Sequence, residues 1–282
     1  MWDFAIVASG ASPASITGVV SGKELLTDLP VPPHEAVRLL AKATGRDPGE
    51  VWMGVTVDVA DLADFRRLIE RRVSGEPLQY LEGEVQFGPI KVGVDRRVLI
   101  PRPETEFLFD LAVRSLASPP KVVVDLCTGS GALALALKTT YPGARVVATD
   151  LSADALGVAI GNGRRLGLDV DWRLGDLWEP VPTELSGSVN LMVANPPYVA
   201  EAEWDHLPID VQQEPRIALV AGPSGTEVIE QLLDQTPAWL AEGGVALVEV
   251  GENQAWPISE MRGDVEVLID QYDRPRFLKL GR

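Results

Sequence analysis

Two rhythms of apolar residues run along this chain, and the change from one to the other separates its parts. From His34 the positions Ala36, Val37, Leu39, Leu40 and Ala43 recur at three- and four-residue spacing, which predicts a helix with one buried stripe; Gly45 ends it. A second helix is predicted over 61–73, with Leu62, Phe65, Leu68 and Ile69 inward and Asp61 as its cap. Residues 1–32 show no sustained period and close on Leu29-Pro30-Val31-Pro32-Pro33, an extension or linker. Between Leu78 and Ile100 apolar residues are punctuated by Gly83, Gly88, Gly93 and Asp95, which predicts one or two hairpins. A helix is expected after the loop 101–106.

Beyond Pro120 short apolar runs alternate with helical patterns. Strands are predicted over 121–126, 144–149, 170–174, 189–194, 245–250 and 265–269, with helices up to Leu137, over 152–166 and over 226–240. Runs that are apolar on both faces, separated by helices, predict an α/β fold with a parallel sheet covered on both sides. The closing 276–280 segment follows its predecessor closely and predicts an antiparallel edge hairpin. The resulting division is 1–32 extension, 33–76 helical domain, 77–102 hairpin linker and 103–282 α/β domain.

Composition narrows the function. The hydrophobic share of 46% and charged share of 23% are those of a globular chain. One cysteine, Cys127, excludes an intrachain disulfide, and two histidines leave little for a zinc site, so no metal is expected. The formal charge of −16, without a Lys/Arg cluster, lowers the expectation of a nucleic-acid substrate and favours a protein partner or a cationic small ligand. No run reaches the ~18 apolar residues of a membrane helix, and Asp3 stands where a signal peptide is basic; a soluble, cytoplasmic protein is expected. The tryptophans read as core or interface fillers and Cys127 as a packing residue; Asp58, Asp61 and Asp64 read as a solvated face.

The chemistry concentrates at strand ends. Asp125-Leu126-Cys127-Thr128-Gly129-Ser130-Gly131 is a glycine turn in which a backbone without Cβ can approach a ligand, and Asp150 follows at the usual distance of about 20 residues for a carboxylate gripping ribose hydroxyls. A dinucleotide and S-adenosylmethionine both fit. Asp125 would repel a pyrophosphate and suit the α-amino group of a methionine tail. Asp176, with Leu177 beside it, can accept from an adenine amino group or simply cap a turn. The segment Asn195-Pro196-Pro197-Tyr198 then follows a predicted strand. Two prolines without N–H leave the Asn195 side-chain oxygen and the Pro196 carbonyl as acceptors for the two hydrogens of a planar –NH2 group, with Tyr198 able to stack on its plane. That pattern predicts methylation of an amide or exocyclic amine.

With these motifs, together with Gly75–Tyr80, Phe87-Gly88, Leu99–Glu106, Glu214-Pro215, Ala218-Leu219, Gly222 and Leu280–Arg282, the chain resembles the HemK family of N5-glutamine methyltransferases from about residue 34 to its end. The resemblance implies a Rossmann-like S-adenosylmethionine-dependent fold, with a mostly parallel seven-stranded sheet and an antiparallel edge hairpin, preceded by the helical domain and hairpin linker. It implies methylation of the Gly-Gly-Gln glutamine of peptide chain release factors, by attack of the amide nitrogen on the cofactor's methyl group. Cys127, Thr128, Gly129, Ser130 and Gly131 would wrap the methionine part, Asp150 the ribose, Asp176 and Leu177 the adenine, and Asn195, Pro196, Pro197 and Tyr198 the glutamine. Arg102, Pro103 and Glu104 would shape the rim. The helical domain would recognise the release factor in a cleft, and a monomer is expected. A ribosomal-protein glutamine and a nucleic-acid base are the alternative targets; a nicotinamide-dependent oxidoreductase and a noncatalytic scaffold are the alternatives outside methyl transfer.

Overall fold

Helices that bury one stripe and strands that bury two faces demand different partners, and the computed structural model, which describes residues 20–21 and 25–282, sorts them into two units that divide after Glu82. In the first unit β1 (Val20–Ser21) pairs antiparallel with β2 (Thr56–Val57). Helix α1 (Pro33–Thr44) has Pro33 at its first turn, where a missing N–H costs nothing, and ends on Gly45 at φ +65°. Helix α2 (Pro48–Met53) opens on a reciprocal cap between Asp47 and Glu50. Helix α3 (Val59–Val73) begins a turn's fraction earlier than the sequence predicts, because Asp58, not Asp61, accepts from the Asp61 N–H at 2.9 Å. A short helix, α4 (Leu78–Glu82), closes the unit.

The core of this unit joins Val37, Leu39, Leu40, Val51, Phe65, Ile69 and Leu81. Leu25, Leu26, Leu29 and Val31 pack on it, so the described part of the expected linker is core cover; its residues 1–19 and 22–24 lie outside the described residues. Arg66, Arg67, Arg71 and Arg72 do gather on α3, and acids answer them: Arg67 pairs with Asp64, Arg71 with Glu76 and Arg72 with Glu35.

The segment expected as a hairpin linker divides between the units. After α4, one hairpin forms, β3 (Glu84–Phe87) against β4 (Ile90–Gly93); Val98 and Leu99 are not in a strand. The hairpin is fixed within the second unit. Asn162 accepts from Gly93 N–H and donates to its carbonyl at 2.7 and 3.0 Å, and Glu106 accepts from Gly88 N–H at 2.8 Å.

Then follow α5 (Pro103–Arg114), β5 (Val122–Leu126), α6 (Ala132–Thr140), β6 (Arg145–Asp150), α7 (Ala153–Leu166), β7 (Asp171–Leu174), β8 (Val189–Ala194), β9 (Val199–Ala200), β10 (Val220–Gly222), α8 (Glu227–Gln235), β11 (Leu240–Glu249), α9 (Ala255–Arg262), β12 (Glu266–Ile269) and β13 (Pro275–Gly281). The α8 helix is shorter than predicted: a 3-10 turn over Thr236–Ala238 ends it and β11 starts five residues early, at Leu240. The sheet order is β12-β13-β11-β8-β5-β6-β7, parallel except for β13, which runs antiparallel between β11 and β12. Its two faces bury separate apolar clusters, one around Val124, Met192 and Leu232, the other around Val123, Leu135 and Phe277. Stacked Trp178 and Trp239 (4.9 Å) fill the first, whereas Trp52 and Trp256 are more than half exposed rather than core.

Candidate active site

The strand order reverses between β5 and β8, and at such a switch point the loops leaving neighbouring carboxyl ends part to open a crevice. A cleft with about 980 Å³ of empty volume, partly open to solvent, lies there. Cys127, Thr128, Gly129, Ser130, Asp150, Asp176, Leu177, Asn195 and Pro197 line it. Gly131, Pro196 and Tyr198 do not, and neither do Arg102, Pro103 and Glu104; the neighbouring Pro101 and Thr105 do.

Asp125 organises the glycine turn from beneath. It is fully buried, and one carboxylate oxygen accepts from Thr128 Oγ1 at 2.5 Å and from Ala134 N–H at 3.1 Å, so it shapes the loop and does not line the cleft, contrary to a direct grip on a ligand's amino group. Burial pushes its carboxyl up to about 7 against those two hydrogen bonds. The turn reverses through positive φ at Cys127, Gly129 and Gly131. Gly131 opens α6 and leaves no room for a side chain, whereas a Cβ on Gly129 would meet no atom within 4 Å. One glycine is therefore needed for packing and the other faces open space in the cleft.

Asp150 ends β6 with both oxygens engaged, accepting from Gly129 N–H at 2.8 Å and Ser152 N–H at 2.9 Å. Burial raises its carboxyl and these N–H donors oppose the rise. Thr149 Oγ1 donates to the Leu177 carbonyl at 3.0 Å, holding Leu177 at φ +42°, a costly conformation for a leucine. Asp176 accepts from Gln231 at 3.2 Å. Two carboxylates lining the cleft and a third behind it suit a cation and repel a pyrophosphate.

Asn195 leaves β8 beside them. Its Nδ2 donates to Thr105 Oγ1 at 3.0 Å, Thr105 Oγ1 donates to Glu249 Oε2 at 2.8 Å, and Arg276 lies 3.3 Å from Glu249 Oε1. Asn195 Oδ1 is buried with no protein partner. Buried polar oxygens are rarely left so, and this one is an acceptor in want of a donor. Tyr198, expected to stack on a substrate plane, instead packs against the first apolar cluster with its hydroxyl accepting from Arg276 at 3.1 Å.

The rim is built by Glu214, which accepts from Ile100 N–H at 2.8 Å and pairs with Arg102; Glu104 pairs with Arg274 at 2.7 Å. Sequence reasoning held Thr105 only as a member of the 99–106 motif, with no role of its own, and missed Glu249, Arg276 and Asn162. The one available signal was Glu249 itself, a carboxylate inside an otherwise apolar strand.

The open space at Gly129, the acidic lining and the unpartnered amide oxygen fit S-adenosylmethionine and an amide acceptor together. Residues 106–210 match the methyltransferase small domain family and residues 20–83 the PrmC N-terminal domain family. The release factor glutamine methyltransferase of Mycolicibacterium smegmatis is 38% identical over 259 residues, covering 89% of this chain and 91% of that protein. That of Deinococcus radiodurans is 42% identical over 219 residues, 76% and 77%. Among solved structures, the Thermus thermophilus 16S rRNA N2 G1207 methyltransferase RsmC, in complex with AdoMet and guanosine, is similar in fold at TM-score 0.51 and 18% identity, over 71% of this chain and 49% of that one.

Proposed function

This chain belongs to the release factor glutamine methyltransferase family, and we propose from there that it methylates the N5 nitrogen of the glutamine in the Gly-Gly-Gln motif of a peptide chain release factor. It is an S-adenosylmethionine-dependent enzyme. The observation that carries the glutamine reading is Asn195 Oδ1, a buried acceptor without a partner at the carboxyl end of β8.

Cys127, Thr128, Gly129 and Ser130 would hold the methionine part of the cofactor, Asp150 the ribose, and Asp176 and Leu177 the adenine side; Gly131 gives their loop its shape. Bound there, the cofactor supplies an activated methyl carbon. The rest is the protein's own work. An amide nitrogen is a poor nucleophile because its lone pair is shared with the carbonyl. Asn195 Oδ1 accepts one of its hydrogens, draws electron density toward nitrogen and fixes the plane of the group, which is positioning and electrostatics with no covalent step on the enzyme; Pro196, expected to accept the second, is buried away from the cleft lining. Pro196 and Pro197 offer no N–H to compete for the substrate's carbonyl. Tyr198 supports the loop from behind through Arg276. The 33–76 helical domain is assigned recognition of the protein substrate, and a cytoplasmic site of action follows from a target in translation. No helix among the described residues is long and apolar enough to cross a membrane.

The test is mass spectrometry after incubation with labelled cofactor and purified release factor, its Gln→Ala form, ribosomal proteins or RNA. One methyl group on the Gly-Gly-Gln glutamine, absent from the Gln→Ala form, is the expected result. Label on ribosomal protein or RNA alone would reassign the target.

A further inference from the structure

A side-chain carboxamide has two ends of nearly the same shape, so shape alone does not decide whether Asn195 shows the cleft an acceptor or a pair of donors. Only the oxygen can receive the hydrogens of an incoming –NH2 group. What decides is the partner at the other end. That partner is the Thr105 hydroxyl, which can donate or accept and so settles nothing alone.

We propose that Thr105, held by the Glu249–Arg276 pair, is a positioning residue that turns the Asn195 amide so that its oxygen faces the cleft. The chain of reasoning runs outward from the sheet. Glu249, when ionised, only accepts, and it takes the Thr105 hydroxyl hydrogen at 2.8 Å. The Thr105 oxygen then presents lone pairs alone toward Asn195, 90 residues away in the chain, and only the –NH2 end of the amide fits against it at 3.0 Å. The amide oxygen is left to the cleft, where it has no protein partner. Burial pulls the Glu249 carboxyl toward its protonated form, which could donate to Thr105 and undo the arrangement; the Arg276 guanidinium at 3.3 Å opposes this. Tyr198 also faces Glu249, its hydroxyl 3.4 Å away, and Glu104 adds a further negative charge nearby. Thr105 enters from the first turns of α5, Glu249 from the end of β11 and Arg276 from β13, so three elements converge on one side-chain rotor.

This rests on the reading of Asn195 as the group that receives the glutamine amide, and the experiment separates the two. Thr105→Val, Thr105→Ser, Glu249→Gln and Asn195→Ala are each compared with the wild-type chain. Two readouts are used: steady-state methylation of the release factor, and the 1H–15N signals of the Asn195 side-chain amide in cofactor-free protein, assigned by their loss in Asn195→Ala. The proposal expects Thr105→Val to lower kcat about 100-fold, the scale of a misplaced reacting group, with KM and cofactor Kd within about twofold. Thr105→Ser should recover most of the rate, and Glu249→Gln, which can donate to Thr105, should fall in between. The Asn195 amide hydrogens should exchange slowly with solvent in wild type and Thr105→Ser and rapidly in Thr105→Val. Wild-type kcat in Thr105→Val, equal impairment of Val and Ser variants, or unchanged amide exchange in Thr105→Val would each overturn it. Should Thr105→Val not fold, Glu249→Gln decides: unchanged kcat and unchanged exchange there overturn the proposal. Full activity in Asn195→Ala removes the underlying reading itself, whereas its collapse beside a fully active Thr105→Val removes the proposal alone.

Discussion

Gly131 sits so close to Trp172 that a Cβ on the glycine would lie 2.9 Å from the indole Cη2. The glycine turn that borders the cleft is therefore packed from behind by a ring of the strand two places away, and the two glycines of the turn serve different ends.

Gly131→Ala meets both that clash and a φ of +81°, and should lower stability by about 1–3 kcal/mol in urea unfolding. Gly129→Ala meets only the backbone penalty at φ +55°. It should cost less stability and instead weaken S-adenosylmethionine binding about tenfold, or ~1.4 kcal/mol, by calorimetry. Equal effects of the two substitutions on cofactor affinity would contradict this division.

Asn195→Ala removes the acceptor and leaves the cofactor loop untouched. The expected outcome is a fall in kcat of roughly 100- to 1,000-fold, as when one preorganised polar contact to a reacting group is lost, with cofactor Kd nearly unchanged. Stopped-time methylation assays and calorimetry read the two quantities separately.

Asp125 gives a pH dependence of definite sign. Its carboxyl titrates near 7 in the folded chain and near ~3.9 when unfolded. Between those values the unfolded chain loses its proton first, so this group's contribution to stability is complete below about pH 4, declines as pH rises to about 7 and is level above. Asp125→Asn lacks the titration. The stability of Asp125→Asn relative to wild type should therefore climb by roughly 2–4 kcal/mol between pH 4 and 8. Denaturant melts at stepped pH measure it, and a flat difference would rule it out.

Glu214 is nearly inaccessible and joins Ile100 N–H to Arg102 across the rim. Glu214→Ala leaves a buried N–H and a guanidinium unpaired, at a cost of about 2–3 kcal/mol. Because Pro101 and Pro215 line the cleft beside it, KM for the release factor should rise more than kcat falls. A change confined to kcat would argue against a rim role.

The alternation of apolar runs and helical stripes made the sheet legible, since β8 needs only five apolar residues out of six to declare itself. The short helix α4 escaped because five residues carry too little periodicity to outweigh their glycine neighbours. Cys127 to Ser130, Asp150 and Asn195 could be brought to one cleft from the sequence because each lies local to a strand end. Thr105 and Arg276 could not: each gains its meaning from a partner on a different element, 144 residues from Thr105 to Glu249 and 27 from Glu249 to Arg276. Tyr198 misled for the opposite reason, since an aromatic next to a functional loop reads as a platform, and only tertiary packing shows it turned inward.

The strand β13 closes two ladders at once, against β11 and β12, and delivers Arg276 to Glu249 in doing so. A chain lacking the segment from Pro275 onward would keep the residues that line the cleft, yet would lose the guanidinium that opposes protonation of Glu249. The last strand of the chain thus carries the charge that keeps a buried acid of its neighbour ionised, which links the far end of the sequence to the strand end where Asn195 stands.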